Sequence, residues 1–225
     1  MKEKLNEEGI AMRVAKELQD GEAVNLGVGI GSMVPNFLQP EKAITFHSEN
    51  GVVGFGRVLT LDEVELMNHN LINAGSQYIV PKPGMSLSDI AEAFDAIRVG
   101  RVNATVLGAL EVSEKGDLAN WSADPKAPIG NIGGAMDMPI GAKRVIVAMT
   151  HTTKKGEPKI VKKCTLPITA PKCVDVIVTD IAVIEVSDEG LVLKEFFPGW
   201  TVEEIQAITE PKLIISPELG EMQLI

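Results

Sequence analysis

The sequence predicts one α/β domain over residues 1–225, built as an open mixed sheet, mostly parallel, flanked by helices. Three observations lead there. The 225 residues are 45% apolar, enough for a real core. Aromatic residues make up only 4%, while Val, Ile, Leu, Ala and 21 Gly dominate, a palette of buried strands and tight turns that argues against an all-β sandwich. Strand-like runs also alternate with helical patterns, and no linker, repeat or low-complexity tract divides them.

The first helix is capped by Asn6, has Glu7 and Glu8 against its N-terminal dipole, lines Ile10, Val14 and Leu18 on one face, and ends by Gly21. A strand follows in AVNLGV (23–28) and stops in the cluster Gly27, Gly29, Gly31 before the helical MVPNFL. AITFHS (43–48) is the next strand and delivers Glu49 to its C-terminal end, where open α/β sheets place ligands. After INAGSQYIV (72–80), Ser86 and Asp89 open a helix with Ile90, Ala93, Phe94 and Ile97 in a stripe, ended by Gly100. ATVLGAL (104–110) and RVIVAM (144–149) are strands, and VDVIVTDIAVIEV (174–186) is long enough to turn near Thr179 and Asp180. LVLKEF (191–196) pairs back as a hairpin behind Asp188-Glu189-Gly190. A Thr201/Glu204 capping box opens the last helix, with Pro211 beyond its end.

Composition narrows the function. A net charge of −10 and a pI near 4.9 repel polyanions, so nucleic acid is not an expected partner. The N-terminal MKEKLNEEG has no apolar core and no run of 18 residues lacks polar interruption, so a soluble, cytoplasmic protein off the membrane is expected. Cys164 and Cys173 form no CxxC pair, and His47, His69 and His151 are widely separated. Two unpaired thiols and no metal site are expected.

One stretch stands apart. HSENGVVGFG (47–56) surrounds Glu49 with glycine, although a solvated surface carboxylate needs no such neighbours. Glu49 follows the first glycine cluster by about the interval of a ribose-binding carboxylate in dinucleotide folds. The fingerprint fails, because the third glycine position falls on Ser32 or Val34. A second cluster, GNIGGAMDMPIG (130–141), is by itself a tight turn. Beside Glu49 it has another use: a carboxylate attacking a carbonyl needs N–H donors for the oxyanion it creates, and Gly134 and Ala135 can supply them.

The set Asn25-Leu-Gly-Val-Gly29, Ser48-Glu-Asn-Gly51, Gly108 with Gly116-Asp-Leu-Ala-Asn-Trp121, Gly133-Gly-Ala-Met-Asp137, and His151 to Val161 with Cys164-Thr-Leu-Pro167 resembles the B subunit of the family I CoA-transferases. The resemblance runs in order from the first helix to Glu210. It implies a three-layer sandwich and an enzyme that moves CoA between an acyl-CoA and a short-chain carboxylic or 3-oxo acid. It makes Glu49 the nucleophile, places Asn25 in the same pocket, and matches Gly134 and Ala135 to the segment closing on the glutamate. Coenzyme A would be substrate and covalent intermediate, with no permanently bound cofactor. The partner would be a separate A subunit, in a heterodimer or heterotetramer, with the active site between subunits.

One stretch, 56–77, departs from the family pattern, in which a shorter, proline-rich spacer leads to Asn-Ala-Gly. It bears on acid specificity, and LDEVELM within it reads as a solvated surface helix. Trp121 and Trp200 read as core or interface residues. The rival functions are an acyl-CoA hydrolase on the same fold and a non-catalytic module sensing sugar phosphates.

Overall fold

The computed structural model describes residues 2–124, 126 and 130–224. Asn6 Oδ1 accepts the Gly9 N–H at 2.9 Å and starts α1 (Glu7–Glu17), whose Ile10, Ala11 and Val14 are buried. β1 (Ala23–Leu26) leads into the short α2 (Ile30–Met33) and a 3-10 turn at Val34–Phe37. β2 (Thr45–Ser48) and β3 (Val52–Phe55) form a hairpin, and β4 (Ser86–Leu87) precedes α3 (Ile90–Arg98). β5 (Ala104–Leu107), β6 (Glu111–Ser113) and β7 (Leu118–Ala119) come next, then α4 (Met138–Gly141), β8 (Val145–Ala148) and β9 (Ile160–Val161). β10 (Val176–Val178), β11 (Ala182–Ser187), β12 (Gly190–Phe196), α5 (Val202–Ala207) and β13 (Leu213–Glu221) complete the chain.

The main sheet has ten strands in the order β13-β12-β11-β10-β8-β5-β1-β2-β3-β4. Its centre, β2-β1-β5-β8-β10, is parallel throughout, the tight turns at 49–51 and 179–181 force the next strand on each side to pair antiparallel, and β13 joins one edge parallel to β12. The central strands read as continuous apolar runs because both faces are covered. Val24, Leu26, Val106, Ile146 and Ala148 pack toward α1, whereas Leu107, Val145, Val147 and Ile177 pack on the other face with Ile97 of α3 and Ile205 of α5. Alternate residues of each strand therefore feed two cores, and the result is three layers.

Several elements differ from expectation. β3, β4, β13 and a small sheet ordered β7-β6-β9 carry little strand signal, being short or interrupted by glycine or proline, with Pro217 tolerated at the edge of the main sheet. Ser86 lies in β4, and Asp89 alone caps α3, its Oδ1 accepting the Glu92 N–H at 2.9 Å. The helix expected at LDEVELM is only a 3-10 turn at Val64–Leu66, with Val64 and Leu66 exposed. One turn presents no continuous stripe to a core, so nothing propagates it. Trp200 packs at the edge of the α5-side core, and its Nε1 donates to Glu3 O at 2.9 Å. Cys164 and Cys173 are both free thiols.

α5 has only six residues and depends on its cap: Thr201 Oγ1 accepts the Glu204 N–H at 3.3 Å while Glu204 Oε2 accepts the Thr201 N–H at 2.9 Å. Thr201→Ala should lower stability by about 1 kcal/mol, whereas Thr201→Ser should retain most of it. Urea unfolding checks this through a lower midpoint at unchanged slope.

Candidate active site

Strand register creates the site. Asn25 on β1 is the direct partner of His47 on β2 and of Thr105 on β5, so three polar side chains stand in a row on one face of the parallel sheet. All three are buried, with Asn25 and Thr105 at 0% exposure. Buried polar groups must satisfy one another, and here they do. Asn25 Oδ1 accepts the Thr105 hydroxyl at 3.0 Å, and Asn25 Nδ2 faces His47 O at 3.4 Å, His47 Nδ1 at 3.3 Å and Glu49 Oε2 at 3.3 Å. The carbonyl and the carboxylate only accept, which fixes the amide's orientation. His47 Nε2 lies 3.2 Å from Ala93 O of α3. Nε2 therefore carries the proton and Nδ1 accepts from Asn25. Burial pushes the imidazole below its ordinary pKa, opposed by the Ala93 carbonyl, in keeping with a neutral ring.

Glu49 sits in the turn after β2, half-buried beside this row. Burial pushes its carboxyl above its ordinary pKa, while its own backbone N–H and the Asn25 amide pull the other way. Both donors are neutral, so no formal charge among them offsets the desolvation. Gly51 closes the turn with φ of 101°, and a Cβ there would stand 2.1 Å from Ser88 O. Only glycine fits that approach. The residues flanking Glu49 grip the loop at 72–74, inside the 56–77 stretch: Ser48 Oγ accepts the Ala74 N–H at 2.9 Å, and Asn50 Nδ2 donates to Ile72 O at 2.8 Å. Ser48 and Asn50 thus hold the turn, leaving the carboxylate to face outward.

It faces a cleft of about 500 Å³, where Glu49 meets Gly27, Gly108, Asn120, Gly134 and Ala135. Three of the four residues expected at the site from sequence line this cleft, and Asn25 lies behind Glu49, hydrogen-bonded to its carboxylate but outside the lining. The glycine cluster forms a 3-10 turn at Gly133–Met136. Within it the Ala135 N–H donates to Ile132 O at 3.0 Å, so the expectation of two ligand-facing donors is corrected. The Gly134 N–H has no hydrogen bond among the described residues. His47 and Thr105 were not foreseen, because their contact with Asn25 arises from the pairing of strands whose residues are 22 and 80 positions away in sequence. Among the described residues no three His, Cys, Asp or Glu side chains cluster as a metal would require. Nor is any helix of the described residues long and apolar enough to cross a membrane.

The family model described as Coenzyme A transferase matches residues 7–207 of this chain. The acetate CoA-transferase subunit beta of Haemophilus influenzae is 46% identical over 96% of this chain and 94% of its own length. The mitochondrial succinyl-CoA:3-ketoacid coenzyme A transferase 2B of Mus musculus is 43% identical over 96% of this chain, which spans only 41% of the mouse protein. In three dimensions the acyl-CoA transferase YdiF of Escherichia coli O157:H7 superposes with a TM-score of 0.74 at 20% identity, over 97% of this chain and 43% of that one. At that identity the likeness speaks for the fold.

A carboxyl whose folded pKa is raised binds a proton more readily in the native state than in the unfolded state, so the native state loses stability as pH rises through that interval. Glu49→Gln removes this term and keeps a side chain of nearly the same shape. The variant should match wild type at acid pH and become the more stable of the two as pH rises to neutrality. Paired urea titrations across that range measure the difference directly.

Proposed function

The chain belongs to the coenzyme A transferase family, and from that premise we propose that it is the B subunit of a CoA-transferase in which Glu49 carries CoA between two acids as a glutamyl thioester. The observation that carries this reading is Glu49 itself: a desolvated carboxylate, held by the Asn25 amide, in the lining of a glycine-rich cleft. Poor solvation by water favours attack, and the lack of side chains on the cleft's glycines lets a bulky thioester come close.

Glu49 attacks the acyl-CoA carbonyl, the C–S bond breaks, and a mixed anhydride forms as CoA thiolate departs. The thiolate attacks the glutamyl carbonyl of that anhydride, the first acid leaves as its carboxylate, and CoA stays activated on the protein. A second carboxylate repeats the two steps in reverse, regenerating Glu49 and releasing the new acyl-CoA. The Gly134 N–H, unpaired among the described residues, is one backbone donor at the cleft that can serve an oxyanion. Exclusion of water protects the anhydride. The acids are short-chain carboxylic or 3-oxo acids, a class that agrees with the names of the relatives.

A separate A subunit completes the site in this reading. Relatives of this length are named as subunit beta, while the mouse relative is more than twice as long as the part this chain matches. Coexpression with the A subunit should give transfer, whereas the single chain should turn over no acyl-CoA. Consumption of acyl-CoA without an acceptor acid would instead mark a hydrolase, and binding without consumption a sensor.

Glu49→Gln in the coexpressed complex should abolish transfer, and Glu49→Asp should lose about 10²-fold or more because the shorter arm misplaces the carboxylate. Incubating the wild-type complex with acyl-CoA and no acceptor should leave a Glu49 peptide that borohydride reduces to the alcohol, detected by mass. An unmodified Glu49 in a preparation that turns over would rule out the thioester intermediate.

A further inference from the structure

The cleft's glycines have different reasons to be glycine. At Gly27 a Cβ would lie 2.9 Å from Val106 O, and at Gly134 it would lie 2.5 Å from Met138 Cε and 2.8 Å from Phe94 Cζ. Gly133 has a φ of 52°, a conformation that disfavours side chains. Packing or backbone shape thus accounts for each of these. Gly108 is different. Its φ is not positive, and among the described residues a Cβ built on it meets nothing within 4 Å. Neither the fold nor the backbone requires glycine there, and alanine would restrict the unfolded chain more.

The space beside Gly108 belongs to the cleft that Glu49 faces. Leu107, Ala109 and Leu110 flank it, with Val28 also on the lining, and no Lys or Arg occurs among the described lining residues. An apolar wall without a cation suits a hydrocarbon tail and not the phosphates of a nucleotide. We propose that Gly108 is a specificity-determining residue whose missing side chain makes room for the acyl tail next to Glu49, so that the site takes short, unbranched acids. This deepens the transferase reading and rests on it.

The test uses Gly108→Ala and Gly108→Val in the complex coexpressed with the A subunit, assayed with acetate, propionate, butyrate and isobutyrate as acceptors. The variant chains should keep the wild-type melting temperature and assemble normally. The ratio of variant to wild-type kcat/KM should fall with acid size, by about tenfold or more between acetate and isobutyrate for the valine variant, the scale of one methyl group in a fitted pocket. An equal loss for all four acids, no loss for any, or failure of the valine variant to bind the A subunit would each overturn the assignment. Wild-type turnover tests the transferase reading, and the dependence of the ratio on acid size tests Gly108, so the two can fail separately.

Discussion

Three polar side chains, Thr105, Asn25 and His47, lie in register across the parallel centre of the sheet, and the arrangement of the site depends on keeping all of them satisfied. An amide buried without partners would be expensive, roughly 1–3 kcal/mol on the mutational scale. The row avoids that penalty only in one orientation: hydroxyl to Asn25 Oδ1, and Asn25 Nδ2 toward the imidazole, the His47 carbonyl and the glutamate. α3 contributes the Ala93 carbonyl that sets the imidazole tautomer. The helix is therefore part of the site although it brings no side chain to this network.

The same row explains how a carboxylate can stay poised without a cation. Neutral donors hold Glu49 in place and offset part of the desolvation, but they do not neutralise it as an Arg or Lys would. A salt bridge would stabilise the carboxylate and also occupy it. In the proposed mechanism, leaving one face to an open cleft trades native-state stability for reactivity, a compromise common where function and folding compete. Gly51 and the grips of Ser48 and Asn50 on the 72–74 loop then hold the turn in place.

Fold and chemistry meet at the C-terminal ends of β1, β2 and β5. Parallel pairing aligns those ends on one edge, so the loops after them converge from distant parts of the sequence. The 3-10 turn at Gly133–Met136 reaches the same edge just ahead of α4, packed on Phe94 and Met138. Its glycine at 134 answers first to that packing, which is why glycine content alone is a poor guide to where a ligand lies.

The order of the main helices and strands, the Asn6 and Thr201 caps, and the position of Glu49 at a strand end were legible in the sequence, because each follows from local periodicity, capping chemistry or turn residues. The motifs around Asn25, Glu49 and Gly134 were equally visible as residues. Their relations were not. That Asn25 stands between His47 and Thr105, that the Ala135 N–H is engaged within its own turn, and that Gly108, unlike Gly27 and Gly134, opens onto unclaimed space are facts of register and packing. Likewise β3, β4, β13 and the β7-β6-β9 sheet are too short or too broken to announce themselves, and exist because neighbouring strands offer them hydrogen-bond partners. Local sequence specifies what each segment prefers, whereas pairing between strands far apart in the chain decides which side chains meet.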